Sequence, residues 1–137
     1  MNLVRLTSEL FVVDGVDHSD LEDLQNLCVR SVVHIRAAMS SSPKTQSLED
    51  LAGVEAQAFA LEGELPSFAD GRRFGQLLDG ASRPVLLCGD RVEDLATLWA
   101  MSQIDRIPLL TIMTVGKAAG FDFREVADAV SAARRRC

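Results

Sequence analysis

Short apolar runs, each bounded by polar or turn-forming residues, predict the strands of this chain. Two runs, at residues 3–6 and 10–13, are typical of a β-hairpin at the edge of a sheet. Three later runs carry the same signal, at residues 31–35, 55–61 and 84–87. Together they predict a sheet of about five strands.

Helical spacing of apolar residues lies between and after these runs. Helices are predicted at residues 19–27, 67–80, 95–102, 109–119 and 122–133. Ser67 or Asp70 can begin the second of them, and Gly80 and Gly120 are stop signals for the second and fourth. Residues 37–46 include three consecutive serines and predict a loop.

Strands that alternate with helices indicate an α/β fold, with a central, mostly parallel sheet flanked by helices. No linker or internal repeat divides the sequence, so we expect residues 1–137 to form a single domain. Ligands of such folds bind at the carboxyl ends of the central strands. We therefore expect the functional residues to lie at the carboxyl ends of these strands.

The composition and charge exclude several classes of partner and binding site. With a net charge of −6 and an ordinary globular balance, we expect neither nucleic acid nor a membrane as a partner. No apolar run approaches the roughly 20 residues of a membrane span, and the first residues lack a signal-peptide core, which predicts a cytoplasmic protein. Cys28, Cys88 and Cys137 show no metal-binding spacing. Reduced thiols, no metal and no cofactor are the expectation.

The most informative stretch is residues 83–103. A buried strand leads into a loop at residues 89–94, and a helix follows. Free backbone N–H groups and the helix dipole converge at such a loop and favour an anion. Cys88, at the mouth of the loop, is a candidate thiolate nucleophile.

Six short pieces of the sequence form a pattern that is known elsewhere: Leu10-Phe-Val-Val-Asp-Gly15, Asp20-Leu-Glu-Asp-Leu24, Val32-Val-His-Ile-Arg36, Pro84-Val-Leu-Leu87, Leu98-Trp-Ala-Met-Ser-Gln103 and Gly116-Lys-Ala-Ala-Gly-Phe-Asp122. In content and order they resemble a bacterial family of dual-specificity-phosphatase-like proteins, found alone or fused to a β-lactamase-like hydrolase and sometimes labelled sulfurtransferases. They cover nearly the whole chain in order. The resemblance implies a tyrosine-phosphatase-type fold.

The sequence departs from that family in the loop. There the loop reads Cys-x5-Arg: the cysteine attacks phosphorus and the arginine holds the phosphate oxygens. An ungapped comparison places the family cysteine on Gly89 and the family arginine on Asp94, with Cys88 one residue early. Arg91, the one cation in the loop, is too near Cys88 to complete the usual geometry.

The loop is also acidic, through Asp90, Glu93 and Asp94, with Val92 between them. A carboxylate about 4 Å from a phosphate costs on the order of 1–4 kcal/mol for each pair of charges. The same carboxylates are suited to the N-terminus of a helix. We therefore expect the loop to use its own acidic side chains where the family binds an anion.

Other candidate residues have structural alternatives. Asp70 could be a general acid that protonates a leaving group, but a helix-capping role is favoured. His34 lies where the family has Asn, and a structural hydrogen bond is favoured over catalysis. Arg36 matches a family arginine and could contact an acidic ligand or pair with a carboxylate, with neither favoured.

Residues 107–115 are more apolar than one helix face requires. A well-buried helix is the simpler explanation, and a contact with a second copy or another protein is the alternative.

Three functions follow from the sequence. The favoured one is an inactive phosphatase-like domain that binds a protein partner or an acidic small ligand. The second is an enzyme of altered chemistry, a phosphatase or sulfurtransferase with Cys88 as nucleophile and Arg91 as anion contact. The third is interaction alone, with residues 107–115 as the contact surface or homodimer interface.

Overall fold

The strands form where the apolar runs predict them. The computed structural model describes residues 2–14, 26–36, 55–63, 66–89 and 91–135. The strands in these residues are β1 (Asn2–Thr7), β2 (Leu10–Asp14), β3 (Ser31–Arg36), β4 (Glu55–Ala60) and β5 (Val85–Gly89). Each predicted strand is thereby confirmed.

The strands pair in the order β1-β2-β5-β3-β4. β1 is antiparallel to β2 and lies at the edge, as the hairpin pattern predicts. β2, β5, β3 and β4 run parallel to one another. The predicted α/β fold with a mostly parallel sheet is therefore confirmed, and β5 occupies its centre.

Helices cover one face of this sheet. In the described part of the chain they are α1 (Phe68–Gly80), α2 (Val92–Gln103), α3 (Leu109–Ala118) and α4 (Arg124–Arg135). Ser67 is the N-cap of α1, and Asp70 is the third residue of that helix rather than its start. Gly120, with φ of +90°, follows α3 and allows the chain to turn there.

α1 and α2 pack closely because glycine removes a side chain between them. A Cβ atom on Gly71 would lie 2.8 Å from the backbone carbonyl carbon of Met101 in α2. That distance is shorter than van der Waals contact, so only glycine fits here without a shift of the helices. The close approach fixes the position of α2 over the sheet.

The two faces of β5 belong to different apolar clusters. Val85 and Leu87 face the helices, in a core cluster with Leu95 and Leu98 of α2. Leu86 and Cys88 face the other side, where they pack with Phe11, Val13, Val29 and Val32. This alternation follows from the pleat of the strand and decides which way each residue near the loop points.

Several predicted elements fall outside the described residues. They are the helix at residues 19–27 except for its last two residues, the loop at residues 37–46, and the end of the chain at residues 136–137. No described helix has both the length and the apolar character that a membrane crossing requires.

Candidate functional site

The candidate loop lies at the carboxyl edge of the parallel strands. β5 ends at Gly89, Asp90 lies outside the described residues, and Arg91 is the N-cap of α2. In the strand register, Cys88 lies between Val13 and His34, and Gly89 lies beside Asp14. The loop thus has the expected place in an α/β sheet, at the end of a central strand.

Cys88 is part of the core. It is 1% exposed and packs in the cluster on the face of the sheet away from α2. Burial raises the pKa of its thiol well above the ordinary value. The thiolate that nucleophilic attack requires is therefore strongly disfavoured.

Gly89 faces the opposite side, towards α2, and Leu95 fills the space beside it. A Cβ atom on Gly89 would lie 2.8 Å from Cδ2 of Leu95 and 3.5 Å from the carbonyl oxygen of Ile35. Leu95 is 1% exposed and is held in the main core. At the position that aligns with the family cysteine, a side chain would therefore contact the end of the Leu95 side chain, which would have to shift.

The start of α2 is acidic. Glu93 and Asp94 lie in its first turn, and Nε of Arg91 is 4.0 Å from Oε2 of Glu93. Burial raises the pKa of Asp94; Arg91 opposes that shift and Glu93 adds to it. Asp14, at the end of β2 beside Gly89, places a further carboxylate at this edge.

The expectation that these acids cap the helix by hydrogen bonds is wrong for Glu93 and Asp94. Within the described residues, neither carboxylate accepts a hydrogen bond from a backbone N–H, and the N-cap residue Arg91 makes no side-chain cap. Both acids lie inside the first turn, and the residue ahead of it carries a donor rather than an acceptor. Their effect on the helix is electrostatic, through its positive N-terminal end.

Asp70 has a structural place. Its buried carboxylate accepts hydrogen bonds from the backbone N–H groups of Glu62 (3.2 Å) and Ser67 (3.1 Å). Nη2 of Arg73 donates to it at 2.6 Å, and the Ser67 hydroxyl accepts from the N–H of Asp70 in return. Burial raises the pKa of Asp70, but these hydrogen bonds, led by that from Arg73, outweigh it and hold the pKa below its ordinary value.

A general acid needs the opposite, a proton that stays on the carboxyl until a leaving group takes it. The capping role that the sequence favours for Asp70 is what the contacts provide. The general-acid role stays a prediction without geometric support.

Arg36 and His34 lie near the loop without converging on it. His34 is buried and lies beside Cys88 of the neighbouring strand. Its side chain is therefore on the same face of the sheet as that of Cys88, away from α2. Arg36, the last residue of β3, is exposed and leaves the strand on the same face as His34. In the parts of the chain that are described, no group of acidic, histidine and cysteine side chains could hold a metal ion.

Sequence reasoning missed two residues here. Leu95 follows directly after the position of the family arginine, and an apolar residue at that position is a sequence signal for packing against the end of β5. Arg73 lies three residues after Asp70, a spacing that brings side chains together on a helix. Its guanidinium also lies 4.9 Å from the Phe59 ring centroid.

Comparison with known proteins adds information on the fold. No family model matches the chain, and no curated protein matches it. Among solved structures it is similar to a candidate phosphatase of Neisseria meningitidis, with a TM-score of 0.72, 18% identity, and 92% and 94% of the two chains covered. The chain has a tyrosine-phosphatase-like fold.

Two further structures extend the likeness. TpbA of Pseudomonas aeruginosa, solved in complex with phosphotyrosine, has a TM-score of 0.66 at 18% identity, with 95% and 81% of the chains covered. The catalytic core of the PP-IP phosphatase SIW14 of Saccharomyces cerevisiae, solved with citrate, has a TM-score of 0.61 at 14% identity, with 98% and 93% covered. At such low identity the likeness establishes the architecture, and function has to be argued from the site.

The burial of Cys88 predicts an unreactive thiol. With iodoacetamide at about pH 8, we expect Cys88 to stay unlabelled in the folded protein and to react after unfolding, because its thiolate is disfavoured by burial. Exposed Cys28 is the internal control and should be labelled in both states. Peptide mass spectrometry measures both sites, and faster labelling of Cys88 than of Cys28 in the folded protein would contradict the prediction.

The contacts of Asp70 predict a pH-dependent contribution to stability. We expect Asp70→Asn to lower the free energy of unfolding at neutral pH by about 1.5–3 kcal/mol, because the amide lacks the charge on which these hydrogen bonds depend. The folded-state pKa of Asp70 lies below the reference value of 3.8. The wild-type advantage is therefore complete above about pH 4 and is lost as the pH falls through the folded-state pKa.

Urea unfolding from about pH 7 to pH 2 measures this difference. Exposed Asp105 supplies the matched control, Asp105→Asn, which should leave stability nearly unchanged. A deficit of Asp70→Asn that is equally large at both ends of the pH range would argue against the ionised, hydrogen-bonded carboxylate.

Proposed function

We propose that this chain is a phosphatase-like domain without cysteine-phosphatase activity, and that it serves as a binding or regulatory module. The observation that carries the proposal is the contact at Gly89, where Cδ2 of Leu95 lies 2.8 Å from the place of a Cβ atom. A side chain at this position, which aligns with the family nucleophile, has no room unless Leu95 moves.

The Cys88 thiol does not take the place of the family cysteine, which aligns with Gly89. Cys88 is 1% exposed and lies on the face of the sheet away from Leu95 and α2. Attack on a phosphate held at the N-terminus of α2 requires a sulfur on the side of that helix. The alternative enzyme, with Cys88 as nucleophile or sulfur carrier, would need β5 to leave its buried register.

The charges at the loop also oppose phosphate turnover. Asp94 lies where the family arginine would bind the phosphate oxygens, and Glu93 precedes it in the same turn. An arginine at this position would bind the phosphate through two hydrogen bonds. A carboxylate here repels the phosphate instead, with an energy of about 1–4 kcal/mol for each pair of charges at 4 Å. Arg91 is the remaining nearby cation of the described loop residues, and Glu93 lies 4.0 Å from it.

The exposed cations of this edge support a binding role. Arg36 is exposed at the end of β3, and the Arg91 side chain is 65% exposed at the start of α2. Such long, exposed side chains can contact the carboxylates of a protein partner or of an acidic small ligand without any covalent chemistry. Both kinds of occupant remain part of the proposal.

Helix α3 supports an interaction surface of a second kind. Leu110 is 76% exposed, whereas Ile112 is fully buried, so the helix is not the well-buried one that its composition favours. The exposed residues around Leu110 include the uncharged Thr111 and Thr114 and, further along the same side of the helix, the cation Lys117. Because the chain carries a net charge of −6, a helix without carboxylates is where a second copy could approach with little repulsion.

The closed loop predicts the absence of cysteine-dependent turnover. With p-nitrophenyl phosphate, we expect wild type and Cys88→Ser to give the same rate, at the level of the buffer alone, because neither has an accessible nucleophile. An active tyrosine phosphatase assayed in parallel controls for the conditions. Turnover by wild type that Cys88→Ser abolishes would refute the proposal.

The exposed face of α3 predicts weak self-association. We expect Leu110→Asp to shift a concentration-dependent monomer–dimer equilibrium towards the monomer, because it places a charge in the apolar contact. Sedimentation velocity over a range of concentrations measures the shift, with Gln76→Asp, at an exposed position of α1, as the control variant. A wild-type protein that stays monomeric at all concentrations would exclude the homodimer.

A further inference from the structure

A cleft of about 180 Å³ opens at the amino-terminal edge of the parallel strands. Val85, the first residue of β5, lies at its base, and Gln103, the last residue of α2, lies at its side. Glu9, in the turn between β1 and β2, forms another wall. The loop at residues 89–94 joins the end of β5 to the start of α2, whereas the cleft lies at the start of β5 and the end of α2. It plays no part in the proposed function.

The floor of the cleft is apolar. It consists of Leu10, Leu78, Val85 and Trp99, each more than nine-tenths buried. The backbone N–H of Val85 is already used, because it donates to the carbonyl oxygen of Glu9 at 2.9 Å. The apolar side chains of the floor therefore favour an occupant with an apolar group.

Two arginines stand at the rim. Nη1 of Arg83 donates to Oε2 of Glu9 at 2.6 Å, and Arg106 donates to both carboxylate oxygens of Asp79 at 2.7 and 2.9 Å. A guanidinium has five N–H donors, so within the described residues Arg83 and Arg106 each keep most of theirs for another acceptor. Their side chains are 56% and 38% exposed, which leaves the donors within reach of a ligand.

From this arrangement we infer that the cleft binds a small carboxylate with a compact apolar body. Arg83 and Arg106 hold the carboxylate, and the floor around Trp99 holds the body. The planar fork of a guanidinium matches a carboxylate and can bind it through two hydrogen bonds. Because pockets for drug-sized ligands enclose about 300–1,000 Å³, a cleft of 180 Å³ takes a smaller molecule.

The sign and size of the ligand charge follow from the groups around it. The cleft is lined by two guanidinium groups and one carboxylate, that of Glu9. Each guanidinium at the rim is already paired with one carboxylate, Arg83 with Glu9 and Arg106 with Asp79. A ligand carboxylate therefore binds through the N–H donors that these pairs leave unused, and a phosphate dianion meets stronger repulsion from the same two carboxylates.

Trp99 provides a direct readout, because it is the one tryptophan of the chain. The probe is 4-methylpentanoate, titrated to about 10 mM, with Trp99 fluorescence and the NMR signal of its indole N–H as the two measurements. We expect a saturable change in either signal. Arg83→Gln should weaken binding by about tenfold or more, because it removes a charged hydrogen-bond donor.

Two controls make the result specific. Arg124→Gln also removes an exposed arginine from a surface ion pair, with Asp122 at 2.8 Å, and should bind the probe as wild type does. The neutral analogue 4-methylpentanamide should bind at least about tenfold more weakly than the acid. Loss of a surface ion pair costs little stability, so Arg83→Gln is expected to remain folded.

Three outcomes would overturn the inference. They are the absence of a saturable change in both signals, equal binding by wild type and Arg83→Gln, and equal binding of the amide and the acid. The last outcome would assign the cleft to neutral ligands.

Discussion

The contact between Leu95 and the backbone of Gly89 is the constraint on which the site depends. It joins the first turns of α2 to the end of the central strand, with a methyl group where a side chain would otherwise extend. Because residue 89 lacks a Cβ atom, α2 can lie close over β5 and bury Leu95 completely. The same contact occupies the space beside residue 89, and the proposed function rests on it.

The alternation of side chains along a strand explains why the neighbouring Cys88 thiol is buried on the other face of the sheet. Successive residues of a strand point to opposite faces, so a cysteine one position early lies on the wrong side of the sheet. In the clusters of this fold, Leu87 lies on the α2 side and Cys88 on the other. A shift of one residue in sequence therefore changes a candidate nucleophile into a core residue.

The sequence allowed the sheet, the hairpin and the described helices to be predicted, because their apolar periodicity and caps are local signals. Ser67 and Gly120 are such signals, and both lie at the helix boundaries they predict. The contacts of the site were less accessible, since they depend on tertiary approach. The fit of Leu95 against Gly89 and the hydrogen bond from Glu62 to Asp70 arise from packing between elements. The capping role expected of Glu93 and Asp94 failed because composition does not define which residue becomes the N-cap.

The filled space beside Gly89 also affects how easily such a domain could evolve towards catalysis. An anion-binding site keeps a cavity and unpaired N–H donors, which lower the stability of the fold. A buried leucine side chain instead stabilises the fold by about 1.5–3 kcal/mol. A cysteine at residue 89 alone would meet Leu95, and an arginine at residue 94 alone would have no anion to hold. Under the proposed function, both a nucleophile at residue 89 and an arginine at residue 94 would be needed before a phosphate could be attacked and held, so two substitutions separate this loop from the family pattern.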